Sequence, residues 1–249
     1  MPKARWIIAG SCFTALAGVG VAVIAASGSS SESGKRVLSS DEANRLAITR
    51  FRNYETGGRA VTITVPGTAG NLVIAASIDY RTKTGYGVVH GTGRDTSSDG
   101  LIEWTATSVL VDPMTDAPAA APATPPTSGW YSRQLQNTGS ALDSSLLIAL
   151  NLGSDRPDNA QLLPQNGAMW LGRDQVAGHE VDIMTGPNAT RTASSATGAA
   201  GSVRYWIGAD GTMYRVEADV ASENQPTVID FDTQKVTAVP SPTTSEPAQ

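Results

Sequence analysis

The chain has 249 residues, 40% of them hydrophobic, and a formal net charge of −5. This acidic balance argues against nucleic acid as a partner, because nucleic acid binding requires a basic surface. Cys12 is the only cysteine, which excludes an intrachain disulfide, so a folded domain must be stabilised by its hydrophobic core.

The first 34 residues predict a membrane segment followed by a short linker. Lys3 and Arg5 precede a charge-free apolar run from Trp6 to Ser27. As a helix, this run would be roughly 33 Å long, close to the hydrocarbon thickness of a bilayer. The flanking charges predict a single-pass anchor at the cell membrane, with the C-terminal part outside the cytoplasm. The alternative is a signal peptide cleaved near Ala25-Ala26-Ser27 and a secreted protein.

A first helix is predicted directly after the linker. Ser39 and Glu42 have the spacing of a capping box, in which each residue bonds the backbone of the other. Apolar residues follow at helical spacing as far as Tyr54, and Gly57 and Gly58 supply the end.

Short runs rich in Val, Ile and Thr then predict antiparallel strands over 61–65, 72–80, 85–90 and 101–107. The Pro/Ala-rich segment 112–128 cannot enter the interior of a sheet, and we interpret it as a long surface loop or a hinge.

A second helix is predicted after Ser140, with Asp143 three residues later and an end before Gly153. A short helical turn is predicted over 158–163, ended by Pro164.

The remaining sequence predicts more strands. Asp210-Gly211 indicates a tight hairpin turn, because these residues tolerate positive φ. The predicted strands span 168–174, 179–185, 203–208, 212–220, 227–231 and 236–239. The segment 186–201 is predicted to be a mobile loop, and residues 241–249 a disordered tail, so the extracytoplasmic domain spans 35–240.

Three parts of the C-terminal half carry a resemblance to a known family. They are the paired strands Leu171-Gly172 and Val176-Ala177-Gly178-His179-Glu180-Val181-Asp182-Ile183, the hairpin Tyr205-Trp206-Ile207-Gly208-Ala209-Asp210-Gly211 with Tyr214-Arg215-Val216, and the closing strands Val228-Ile229-Asp230-Phe231 and Val236 to Pro240. In these parts the chain resembles the LolA-like superfamily, which includes actinobacterial LppX and LprG type lipoproteins. It departs from them in lacking a convincing lipobox around Cys12 and in carrying the insertion at 112–128.

The resemblance implies an α+β fold, in which a curved antiparallel sheet, a half-barrel, is covered by helices. It also implies an apolar cavity that holds a lipid or a lipoprotein acyl chain. The candidate ligand-binding residues are apolar side chains of the second helix and two tryptophans of the sheet, although ordinary core packing also explains them. They are Leu142, Leu146, Leu147, Leu150, Trp170 and Trp206.

Catalytic chemistry has no support in the sequence. His90 and His179 are the only histidines, and no Gly-x-Ser-x-Gly elbow occurs. We therefore expect no enzyme, no metal and no cofactor. The alternative function is an interaction or regulatory module of the cell envelope with a filled core, whose loop beginning at Pro113 reaches a protein partner.

Overall fold

The computed structural model describes residues 34–93, 96–136, 139–187, 203–220, 223–231 and 239. Within them the chain forms three helices and twelve strands. The helices are α1 (Ser40–Glu55), α2 (Ala141–Leu150) and α3 (Leu162–Gln165). The strands are β1 (Arg36–Val37), β2 (Gly58–Val65), β3 (Leu72–Asp79), β4 (Thr84–Gly91), β5 (Gly100–Trp104), β6 (Ser108–Pro113), β7 (Tyr131–Gln134), β8 (Met169–Val176), β9 (His179–Thr185), β10 (Val203–Ile207), β11 (Met213–Ala218) and β12 (Thr227–Phe231).

All twelve strands belong to one antiparallel sheet in the order β1-β8-β9-β10-β11-β12-β2-β3-β4-β5-β6-β7. Most neighbours in the sheet are also neighbours in the chain, as expected of hairpins. The exception at the centre is the pair β12 and β2, in which Val228 lies opposite Thr64 and Phe231 opposite Val61. This pair joins the two halves of the chain into one sheet.

Helix α1 begins as the sequence predicts. The Ser39 hydroxyl accepts a hydrogen bond from the Glu42 backbone N–H, and the Glu42 carboxylate accepts one from the Ser39 N–H at 2.8 Å. Arg36 donates two further bonds to the same carboxylate, at 2.7 and 2.8 Å. These hydrogen bonds from Arg36, with those from Ser39, lower the pKa of Glu42 to about 2 against the opposing effect of burial.

Most predicted strands are confirmed, but three local expectations were wrong. The strand predicted over 101–107 ends at Trp104, because the Thr105 hydroxyl accepts hydrogen bonds from the backbone N–H groups of Thr107 and Ser108 and the chain turns there. Two strands, β6 and β7, were not predicted. The third helix begins later than expected and contains Pro164, which the first turn of a helix tolerates because its N–H groups have no partner there.

Several predictions lie wholly or almost wholly outside the described residues. They are the apolar run from Trp6 to Ser27, the loop over 186–201, the strand over 236–239 and the tail over 241–249. Among the residues that the structure describes, no helix has the length and apolar character needed to cross a membrane.

The helices cover one face of the sheet, which we call the inner face. Helix α2 packs on β2 and β12, and α1 packs on β2, β10 and β11. Beneath α2 lies the larger hydrophobic core, to which β2 to β6 contribute alternate residues. A second, smaller core lies beneath α1, around Trp170 and Met184. The sheet therefore has one helix over each of two apolar regions.

The opposite, outer face is also covered over β4, β5 and β6. Its residues there are fully or almost fully buried, although they alternate with the inner-face core: Tyr86, Val88, Leu101, Glu103 and Leu110. We call residues 114–130 the strap, because they lie on this face. The Pro118 carbonyl oxygen is 3.0 Å from His90 Nε2, and a Cβ on Gly129 would overlap the Asp112 carboxylate. The Pro/Ala-rich segment is thus a second layer over this part of the sheet.

Candidate ligand-binding site

The candidate site is built around α2, which is fixed at its N-terminus by an ion pair with a buried carboxylate. The Ser140 hydroxyl caps the helix by accepting a bond from the Asp143 N–H at 3.2 Å. The Asp143 carboxylate is fully buried and accepts two bonds from Arg133, at 2.6 and 2.7 Å. Burial opposes the ionisation of Asp143, but the bonds from Arg133 and from the backbone N–H of Gln136 outweigh it, and the pKa is lowered.

The middle of α2 is joined to the sheet by two polar contacts. The indole N–H of Trp104 donates to the Leu146 carbonyl at 3.2 Å, and the Ser145 hydroxyl lies 2.6 Å from that of Thr227. The Trp104 ring also fills the space above Gly85, because a Cβ at Gly85 would overlap the ring. A strand glycine here permits the close approach of the indole.

At its C-terminus α2 is capped by Lys83, a residue of the turn between β3 and β4. The Lys83 ammonium donates to the Leu150 carbonyl at 3.0 Å and to the Gly153 carbonyl at 2.6 Å. A cation is favourable at this end, where the last carbonyl groups lack helical partners. Burial lowers the pKa of Lys83.

The four candidate leucines are brought together by α2. Leu146 and Leu150 are buried in the larger core, and Leu142 and Leu147 are half-buried against it. Helix α2 is apolar on nearly every side, and none of its residues is exposed. A helix of this kind is normally enclosed on all sides by apolar groups.

The two candidate tryptophans lie elsewhere. Trp170 belongs to the smaller core, where its indole N–H donates to Asp182 at 2.9 Å and Arg36 lies 4.2 Å from its ring centroid. Trp206 is on the outer face, because Tyr205 and Ile207, on either side of it in β10, pack on the inner-face cores. Its indole N–H donates to the Asp174 carboxylate at 3.0 Å. Neither indole lies beside the leucines of α2 in one site.

A polar group that the sequence analysis missed borders the larger core. Arg59 lies on the inner face of β2, where it donates to the Asn53 side-chain oxygen at 2.9 Å and to the Met213 carbonyl at 3.2 Å. Tyr80, directly after β3, is fully buried in the same core. The sequence signal that could have revealed Arg59 is its spacing from Val61, because residues two apart in a strand lie on the same face.

No group of three or more His, Cys, Asp and Glu side chains in the described ranges is arranged to hold a metal ion. His90, in β4, has its Nδ1 atom 3.6 Å from Oδ2 of Asp99. The ring of His179 stacks on that of Tyr214, with ring centroids 4.6 Å apart.

Compared with models of known protein families and with the sequences of characterised proteins, the chain shows no significant match.

Proposed function

We propose that the chain is a membrane-tethered, extracytoplasmic and non-catalytic module that binds a lipid or a lipoprotein acyl chain, as a carrier or a sensor. The observation that carries this proposal is the apolar margin of the larger core. Leu142 and Leu147 of α2, and Leu72 and Val111 of the sheet, are all half-buried and all pack on this one cluster. Half-buried apolar side chains on both a helix and the facing sheet are suited to an acyl chain.

The architecture supports the same proposal by analogy. A large antiparallel sheet with helices on one face is what a LolA-like half-barrel requires, and the proposal includes this relationship.

The test is mass spectrometry of an organic extract of the full chain, purified in a mild non-ionic detergent from an actinobacterial host. We expect one lipid class near one molecule per protein, absent from an unrelated membrane protein prepared in parallel. Leu147→Ser should lower the retained lipid at least twofold, because it removes apolar surface from the margin. The matched control is Val37→Ser, which changes an exposed residue of the edge strand β1.

Retention of lipid that is equal in the control protein, or unaffected by Leu147→Ser, would reject the proposal. The second candidate would then take its place, namely an envelope interaction module with a filled core. It is favoured by Leu146 and Leu150, which are fully buried, and by the indole of Trp104 bonded to α2. Its exposed face would include Tyr131, of which 68% is accessible beside the strap.

A further inference from the structure

The larger core contains a cationic side chain at one end. Arg59 is half-buried on the inner face of β2, in the same alternating row as Val61 of the core. Its guanidinium carbon lies 4.8 Å from the centroid of the Phe231 ring, which also belongs to that core. Burial lowers the pKa of Arg59, since a charge that leaves water is destabilised.

The hydrogen bonds that Arg59 makes leave much of its guanidinium unused. It donates one bond to Asn53 and one to the Met213 carbonyl, whereas a guanidinium has five N–H donors. Asn53 is itself fully buried and donates to the Leu152 carbonyl at 2.9 Å, so it fixes the guanidinium in place. No carboxylate of the described residues lies within 4.0 Å of Arg59.

A second group independently lacks a partner there. The hydroxyl of Tyr80 is fully buried, and no atom of the described residues forms a hydrogen bond with it. The Tyr80 N–H donates to the Gly57 carbonyl at 3.1 Å, which continues the pairing of β2 with β3. Tyr80 therefore lies two positions beyond Ile78, the partner of Arg59, on the same face and within reach of a long side chain. Burial raises the pKa of Tyr80. A buried hydroxyl without a partner is unusual and calls for an explanation.

We propose that Arg59 and Tyr80 form an anion subsite that holds the carboxylate of a long-chain carboxylic acid, with Asn53 as the residue that positions the guanidinium. The inference rests on the proposed function and specifies its ligand. A carboxylate accepts two parallel N–H bonds from a guanidinium and has a further lone pair for the tyrosine hydroxyl. The single charge of Arg59 balances one negative charge, whereas a phosphate dianion would leave a second negative charge without compensation.

The position of the subsite suits an acyl ligand. From Arg59 to Val65, which pairs with the half-buried Leu72, β2 extends for roughly 20 Å. The carboxylate would thus be held at one end of the core, and the hydrocarbon chain would run toward the apolar margin at the other.

The experiment compares palmitate with hexadecanol, its uncharged analogue, by native mass spectrometry of the full chain in one non-ionic detergent. The measured quantity is the ratio of their dissociation constants, so that differences in micelle partition cancel between variants. We expect Arg59→Gln to reduce the preference for palmitate at least tenfold, and Tyr80→Phe about tenfold, because each removes hydrogen bonds to a charged group. Tyr80→Phe keeps the buried ring, so the folded core is retained.

The matched control is Arg215→Gln, which removes a guanidinium from the outer face, where Arg215 pairs with Asp230 at 2.6 Å. This variant should keep the wild-type ratio. If both ligands bind but Arg59→Gln and Tyr80→Phe keep that ratio, the anion subsite is wrong and acyl binding stands. If neither ligand binds the wild type, the proposed function fails and the subsite with it. Tighter binding of hexadecyl phosphate than of palmitate would overturn the assignment to a carboxylate.

Discussion

The buried Glu42 carboxylate in the first turn of α1 makes the stability of the fold depend on pH. We expect Glu42→Gln to lower the free energy of unfolding at pH 7 by about 1–2 kcal/mol. Glutamine still completes the capping box, so the substitution removes the charged pair with Arg36 and keeps the cap. The prediction therefore isolates the ion pair.

The magnitude follows from the lowered pKa. A change from 4.5 to about 2 corresponds to about 3 kcal/mol between the ionised and neutral forms. The side chain of Arg36 is 39% exposed, so solvent screening reduces this to about 1–2 kcal/mol. Because the folded-state pKa lies below the unfolded one, the contribution is fully present above pH 4.5 and is lost as the pH falls toward 2.

The assay is equilibrium unfolding in urea, followed by tryptophan fluorescence at pH 7 and pH 3, with both proteins in the same detergent. More than half of the deficit of Glu42→Gln should disappear at pH 3. Glu55→Gln, at the exposed end of the same helix, is the control and should remain within about 0.5 kcal/mol of wild type. A deficit of equal size at both pH values would refute the reasoning, because it would show that the charge of Glu42 contributes nothing.

Two further substitutions test how α2 and the sheet are held. Gly85→Ala should destabilise the protein by about 1–3 kcal/mol, since its methyl group would overlap the Trp104 ring; the urea midpoint measures this, and an unchanged midpoint contradicts it. Lys83→Met should cost about 1–3 kcal/mol through the two lost bonds at the end of α2. Amide hydrogen exchange should accelerate in the last turn of that helix, and exchange that stays at the wild-type rate would argue against the cap.

The sequence predicted correctly those helices and strands whose ends are set by residues close to them in the sequence. The starts of α1 and α2 were found because Ser39 and Ser140 bond backbone groups three residues away. The β10 and β11 hairpin was found because Asp210-Gly211 suits its turn. Strand β7 was missed because its residues are mostly exposed and polar, with no apolar alternation to reveal it.

The candidate site was harder to predict, because it depends on which face of the sheet each side chain occupies. The hairpin around Trp206 could be recognised, but the side of the sheet that receives α1 and α2 is set by distant packing. Trp206 consequently lies on the outer face, away from Leu146. Arg59 was overlooked for a related reason, since its alternation with Val61 gains meaning only once a helix covers that face.

The pairing of β12 with β2 has a consequence for how the chain folds during synthesis. Thr64 and Val228 are partners across 164 residues, so β2 has no neighbour on that side until almost the whole chain has emerged. Its long-range pairing is expected to be slow, and an unpaired edge invites intermolecular association. A chain that stops short of residue 227 would keep β3 as the only neighbour of β2 among the described strands and would be prone to aggregate. The open edge of β2 is therefore covered only when β12 has been made.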